Sequence, residues 1–204
     1  MTTTAKGKIG VLIEDHFDQT EYRLFNEFFP QQGYEVVYMS YLWGHPSLTF
    51  GGNPDNGDYD VAKVVVTAEI SEVNADDYRG FICIGAYAMD RLRFQANIIK
   101  GQKNQAPAVV FLRENLNRPH LKWGTICHSL WLFCADPDLI RGRNVTCAHN
   151  IVCDVENAGG NVVYEGQGTA ELVIDGNLIS AKHPDVTEKF MTAFVQEIEK
   201  AVAW

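Results

Sequence analysis

Lys8-Ile9-Gly10-Val11-Leu12-Ile13, residues 17–32, and Tyr34-Glu35-Val36-Val37-Tyr38-Met39 together decide the fold. The first is an apolar run of strand length with Gly10 inside it. In the second, Tyr22, Leu24, Phe25, Phe28 and Phe29 fall at roughly helical spacing, and Gly33 stops the helix. The third is again β-rich, and the polar turn Glu14-Asp15-His16 joins the first to the second. Strand, helix, strand in this order is the unit of a parallel sheet, because parallel neighbours need a crossover.

The alternation continues outward. Residues 41–60, rich in Gly, Pro, Asn and Asp, read as a loop or small insertion, and residues 61–70 as a short strand or hairpin. Residues 80–84 are a strongly apolar strand, expected near the centre of the sheet. Helices are expected over 89–99, over 108–117 behind Pro107, from 129 towards 139 with Pro137 near the end, and over 151–158. Strands are expected over 122–126, 145–147, 162–164 and 171–180 around Gly176. Residues 186–202 carry Phe190, Phe194, Val195, Ile198 and Val202 on one helical face. The expectation is one α/β domain over residues 1–204: a flavodoxin-like three-layer sandwich, with a mostly parallel central sheet and helices on both faces.

The composition narrows the function. A formal net charge of −9 disfavours nucleic acid and anionic membrane as partners, since both need a clustered positive surface. Apolar runs such as Phe81-Ile82-Cys83-Ile84 are strand-sized, far short of a membrane span. The first residues lead straight into a strand without the apolar region and cleavage site of a secretory signal, so a cytoplasmic location is expected. Five cysteines, an odd number, are then expected as reduced thiols, most of them buried.

Ligands of such sheets bind at the carboxyl ends of the strands. Two central strands end there in Gly85-Ala86 and in Cys127-His128-Ser129. A nucleophile on a tight strand-to-helix turn needs small neighbours, and Gly124 and Ser129 are small. The N–H after Cys127 can serve an oxyanion, and a helix starting there lowers the thiol pKa. Ser129, on the turn itself, and His183, which follows a strand end, are candidate residues of the same pocket.

Gly124-Thr125-Ile126-Cys127-His128-Ser129 resembles the A-x-x-C-H-G elbow of the ThiJ/PfpI superfamily, relatives of the class I glutamine amidotransferases. The resemblance runs through nearly the whole chain: residues 139–143 are similar to its L-x-x-G-R, 155–159 to its x-E-N-A-G, and 173–180 to its V-x-D-G-N-L-I-T/S. It implies Cys127 as nucleophile, and His128 as a donor of its backbone N–H and, in some members, as base. It implies Glu21 as the acid that hydrogen-bonds the thiol, Asp18 as a second acid, and Gly85-Ala86 as the loop that completes the oxyanion hole. Ile84 and Ala86 stand where that loop has proline and its second glycine, and Ser129 stands where the elbow has glycine.

The reaction implied is attack of Cys127 on a small electrophilic carbonyl, of glyoxalase III or hydrolase type, with isocyanide hydration and peptide or amide hydrolysis as further types in the family. It implies a small-molecule substrate, no cofactor, and a homodimer, for which Trp43-Gly44-His45 is a candidate contact. The rival readings are a redox sensor working by oxidation of Cys127 to a sulfinate, and a binding module. Cys147, His149 and Cys153 offer soft ligands, but their spacing is not a usual zinc pattern and no metal is expected.

Overall fold

The apolar run at the head of the chain forms β1 (Gly7–Leu12). Asp18 then turns the chain into α1 (Gln19–Gln31), its side chain accepting the Glu21 N–H at 2.9 Å. The structure, a computed structural model, describes residues 6–54 and 60–202, with side chains as far as residue 201. After α1 come β2 (Tyr34–Ser40), β3 (Leu48–Gly51), β4 (Lys63–Val66), β5 (Ala68–Glu69), β6 (Tyr78–Cys83), α2 (Ala88–Leu92), α3 (Pro107–Asn115) and β7 (Lys122–Ile126). The chain continues with α4 (Trp131–Cys134), β8 (Asn144–Val145), α5 (Val152–Asn157), β9 (Asn161–Val162), β10 (Tyr164–Glu165) and β11 (Gly168–Thr169). It closes with β12 (Leu172–Asp175), β13 (Leu178–Ala181) and α6 (Thr187–Val202).

Seven strands form the central sheet in the order β12, β13, β7, β6, β1, β2, β5. Every pairing in it is parallel except the hairpin of β12 with β13. The fold is thus the expected α/β sandwich. Gly80, Phe81, Ile82 and Cys83 of β6 are all buried, as suits a strand covered on both faces. One face meets α1 and α6, whose Phe25–Phe190 and Phe29–Phe194 ring pairs lie 6.3 and 6.2 Å apart. On the other face Phe81 stacks on Trp123 at 5.1 Å and meets Phe111 of α3 edge-on at 5.0 Å. Burying each such ring is worth about 1.5–3 kcal/mol. No helix among the described residues is long and apolar enough to cross a membrane.

Several boundaries differ from the sequence expectation. The insertion at 41–60 contains β3, which pairs antiparallel with β4, so the segment folds back as a hairpin; residues 55–59 of it lie outside the described residues. The helix expected over 89–99 stops at Leu92, because Asn104 and Gln95 side chains bond Arg93 C=O and Gln105 N–H and hold the chain open there. Ile98 and Ile99, 82% and 61% exposed, therefore lie on no helical face. The helix expected from 129 is one turn, α4, ended where Asp136 caps a tight turn over Pro137–Leu139. Phe190, Phe194, Val195 and Ile198 of α6 are buried as read; the side chain of Val202 and residues 1–5 lie outside the described residues.

Gly80 lets α6 approach the sheet. A Cβ there would meet the Lys122 carbonyl oxygen at 2.5 Å and Phe194 Cζ at 2.9 Å. The backbone oxygen cannot step aside, so Gly80→Ala is expected to destabilise the fold by about 1–3 kcal/mol. Gly168→Ala, whose Cβ meets nothing within 4 Å, is expected to stay within about 0.5 kcal/mol. Urea unfolding checks the pair: the midpoint drops for the first and holds for the second.

Candidate active site

From β1 the chain runs outward to β2, and from β6 it runs outward the opposite way to β7. The order of strands reverses between β1 and β6, which leaves a crevice at their carboxyl ends. Cys127 follows β7 directly, Gly85 and Ala86 follow β6, and Asp18 and Glu21 open the helix after β1. Every one of these residues comes to the crevice.

Cys127 has a φ of +58°, in the left-handed region that costs an L-residue about 1–2 kcal/mol. Its N–H donates to the Ala181 carbonyl at 3.0 Å, and its own carbonyl accepts the Ala148 N–H at 3.1 Å. Ser129 locks the turn: its N–H donates to the Ile126 carbonyl at 3.0 Å and its Oγ accepts the Ile126 N–H at 2.7 Å. That bond holds Ser129, fully buried, beneath the elbow and away from the pocket wall where the sequence reading put it.

Glu21 is fully buried, and its Oε2 accepts the Gly85 N–H at 2.7 Å. A Cβ on Gly85 would lie 2.5 Å from Glu21 Oε1 and 3.0 Å from Cys127 Cβ, so only glycine fits between acid and thiol. With the Gly85 N–H on Glu21, the Ala86 N–H is the donor of this loop that reaches Cys127. Ala86 has a φ of +57°, the strain that the alanine carries where the resembling loop has glycine. Phe17, fully buried, bridges Ala86 on one side and Gly52 of the hairpin on the other.

His128 Nδ1 lies 3.4 Å from Cys127 Sγ, and its Nε2 lies 2.9 Å from Asn150 Oδ1. An acceptor at Nε2 puts the ring proton there and leaves the Nδ1 lone pair facing the sulfur. The ring stacks with Trp131 at 5.0 Å and with Tyr87 at 5.7 Å. Trp131 is tied in turn by its Nε1 to Asp154 Oδ2 at 2.9 Å. Asn150 escaped the sequence reading, which weighed its neighbour His149 only together with Cys147 and Cys153. Nothing in one sequence separates the two, since both follow the same short strand. His149 lines an adjacent cavity of about 280 Å³ and is not among the walls over Cys127. His183 lines both cavities, its Nδ1 3.0 Å from Asp185 Oδ2. Cys147 is buried and Cys153 exposed, and no cluster of three or more metal-ligating side chains forms among the described residues.

The expected lowering of the thiol pKa does not occur. Burial pushes the Cys127 thiol above its ordinary value, and the charge of Glu21 pushes the same way. The Ala86 N–H pulls it back; Asp18 adds to the rise, and the His128 N–H opposes it more weakly. The helix credited with lowering it, α4, is a single turn that starts four residues on, too short for a useful dipole. Cys134 and Cys147 are also pushed up by burial, to about 11 and about 12. Alkylation of Cys127 by iodoacetamide, located by mass spectrometry, is therefore expected to go on accelerating well above pH ~8.5. Glu21→Gln, which keeps an acceptor for the Gly85 N–H and removes the charge, is expected to move that midpoint to lower pH. An unmoved midpoint would show that Glu21 does not act through its charge.

The model of the DJ-1/PfpI family matches residues 7–197. YraA of Bacillus subtilis, provisionally named a cysteine protease, is 30% identical over 183 residues, 90% of this chain and 93% of its own. A ThiJ/PfpI domain protein from Brachyspira murdochii superposes with a TM-score of 0.76 at 17% identity, over 97% of this chain and 99% of its own. A two-domain protein from Anabaena variabilis, with DJ-1/ThiJ/PfpI-like and ferritin-like domains, gives 0.77 at 24% identity; the match covers 95% of this chain and 48% of that one. The parallel sheet, the left-handed cysteine elbow and a family match over almost the whole length agree: the chain belongs to the DJ-1/PfpI family.

Proposed function

We propose that the protein is a cysteine-nucleophile enzyme that converts small α-oxoaldehydes to 2-hydroxy acids, without an organic cofactor or an added thiol. The observation that carries this reading is the line from Cys127 Sγ to His128 Nδ1, 3.4 Å, and from His128 Nε2 to Asn150 Oδ1, 2.9 Å. A thiol held protonated by burial needs a base beside it at the moment of attack, and Nδ1 is that base.

The steps follow from these positions. Cys127 gives its proton to His128 as Sγ bonds to the aldehyde carbon. The oxygen of that carbon takes the proton back, leaving a hemithioacetal and a neutral imidazole, and the Ala86 and His128 N–H groups are the donors available to it. His128 then removes the hydrogen from the same carbon and returns it to the neighbouring carbonyl carbon. The hydroxyl proton of the first carbon passes to the oxygen of the second, so that the first carbon is oxidised to a thioester and the second reduced to an alcohol. Water cleaves the thioester and restores the thiol, so oxoaldehyde plus water gives hydroxy acid, with no outside oxidant. Asn150 holds the tautomer that this sequence requires.

A second reading, hydrolysis of amides, is favoured by the same Cys–His–Asn line and by the name of YraA. Lactate formation from methylglyoxal in thiol-free buffer separates the two. Wild-type turnover with loss of all product in Cys127→Ala is expected, and His128→Gln should lower kcat/KM about 100-fold. Asn150→Leu is expected to cost less, about 10-fold in kcat/KM, because the unheld ring spends part of its time in the wrong tautomer. Equal turnover by wild type and Cys127→Ala would end the proposal, and cleavage of amide substrates alone would favour the second reading.

A further inference from the structure

His128 and Trp131 share one turn, closed by the Trp131 N–H donating to the His128 carbonyl at 3.0 Å. A spacing of three residues brings the two side chains to one side of such a turn. Their rings stack, with centroids 5.0 Å apart and planes 18° from parallel. The Asn150 bond fixes the imidazole at Nε2. A bond at one corner does not by itself set the plane of a ring, and a ring that swings about that corner carries Nδ1 off the sulfur. A flat neighbour removes the swing if that neighbour is itself fixed.

Trp131 is fixed. Its Nε1–H donates to Asp154 Oδ2 at 2.9 Å. Its carbonyl accepts from Arg93 Nη1 at 3.4 Å, and the Arg93 guanidinium lies 5.6 Å from its ring centre, close enough for attraction to the ring face. Arg93 is held in turn by Asp90, whose Oδ1 accepts from Nε at 2.9 Å and from Nη2 at 2.6 Å. Asp154 stands on α5 and Arg93 caps the end of α2, so two helices outside the elbow lock the indole. Tyr87 also faces His128, at 5.7 Å and 16°. Tyr87 is a wall of the cavity over Cys127, whereas Trp131 is not among its walls. A substrate in that cavity meets Tyr87 and His128 directly, and Trp131 reaches it through the imidazole.

We propose that Trp131, anchored by Asp154 and Arg93, is a positioning residue that sets the plane of the His128 imidazole and keeps Nδ1 on Cys127 Sγ. The inference rests on the reading of His128 as the base and adds the group that aims it. A reacting group misplaced by about 1 Å can cost about 100-fold in rate, so a partial loss of aim is expected to show in kcat.

The test is steady-state turnover of methylglyoxal by the full chain. Trp131→Ala should lower kcat about 10-fold with KM unchanged. Trp131→Phe, which keeps a flat ring and loses the Nε1–H, should recover most of that loss. Asp154→Ala, an exposed change that removes one anchor, should lower kcat about threefold. In a His128→Gln background none of the three should lower the rate further, because a positioning residue acts through the group it positions. A loss carried by KM, or a loss that persists in full without the imidazole, overturns the proposal. If Trp131→Ala does not fold, Asp154→Ala carries the comparison, and wild-type kcat in that variant overturns it. If no oxoaldehyde turns over, the reaction reading fails by itself and nitrogen NMR of the neutral His128 ring reads the positioning. Wild type should show the Nε2–H tautomer and Asp154→Ala a mixture of both, because a swinging ring loses its bond to Asn150 part of the time. The same tautomer ratio in both proteins overturns the proposal.

Discussion

A buried carboxylate accepting one backbone N–H holds this site together. Glu21 stands on the first turn of α1, and Gly85 stands at the exit of β6. Their 2.7 Å bond joins two segments 64 residues apart, directly beside the elbow of β7. A buried acid without such a partner would cost several kcal/mol. The same bond fixes the loop whose next N–H reaches Cys127, and Gly85 has no side chain because the acid and the thiol leave room for none. Acid, donor loop and nucleophile thus constrain one another.

That constraint changes how reactivity is understood here. A thiol activated in isolation would sit in a site that favours its charged form. Here burial and an adjacent carboxylate both favour the neutral form, and two N–H groups only partly offset them. On the proposed function the base is the imidazole of His128, which is held by an amide at Nε2 and by the stacked rings of Trp131 and Tyr87. A buried thiol held in its neutral form is expected to resist random alkylation and oxidation.

Much of this was legible in the chain. The strand–helix–strand opening and the apolar run ending at Ile84 carry their periodicity openly, because the sheet is buried and its strands must be apolar. The elbow at Cys127 could be read because a sharp strand-to-helix turn admits few residue types, and Gly85 because it ends an apolar strand; Glu21 came only with the family resemblance. The β3 half of the hairpin was hidden, since it is short and its glycine- and asparagine-rich flanks look like any loop, while β4 falls in the run read as a strand or hairpin. Ser129 was misplaced because its smallness, which fits a pocket, also fits a turn-locking hydroxyl. Asn150 was not legible at all, since an asparagine declares its role only through the group it meets in space. The end of α2 at Leu92 was equally hidden, because side-chain bonds from residues ten positions on decide it.

The elbow's anchors have a consequence for the order in which the protein is made. The Cys127 N–H is held by Ala181 and its carbonyl by Ala148, both downstream of it in the chain. Synthesis delivers the thiol first and its fastenings later. While the ribosome is still extending residues 128–181, the left-handed turn has only its local Ser129–Ile126 bonds and, once made, the Ala148 N–H to hold it. The full set of anchors exists only when the last sheet strand docks, so a truncated or stalled chain ending before Ala181 carries Cys127 without the geometry that the complete sheet gives it.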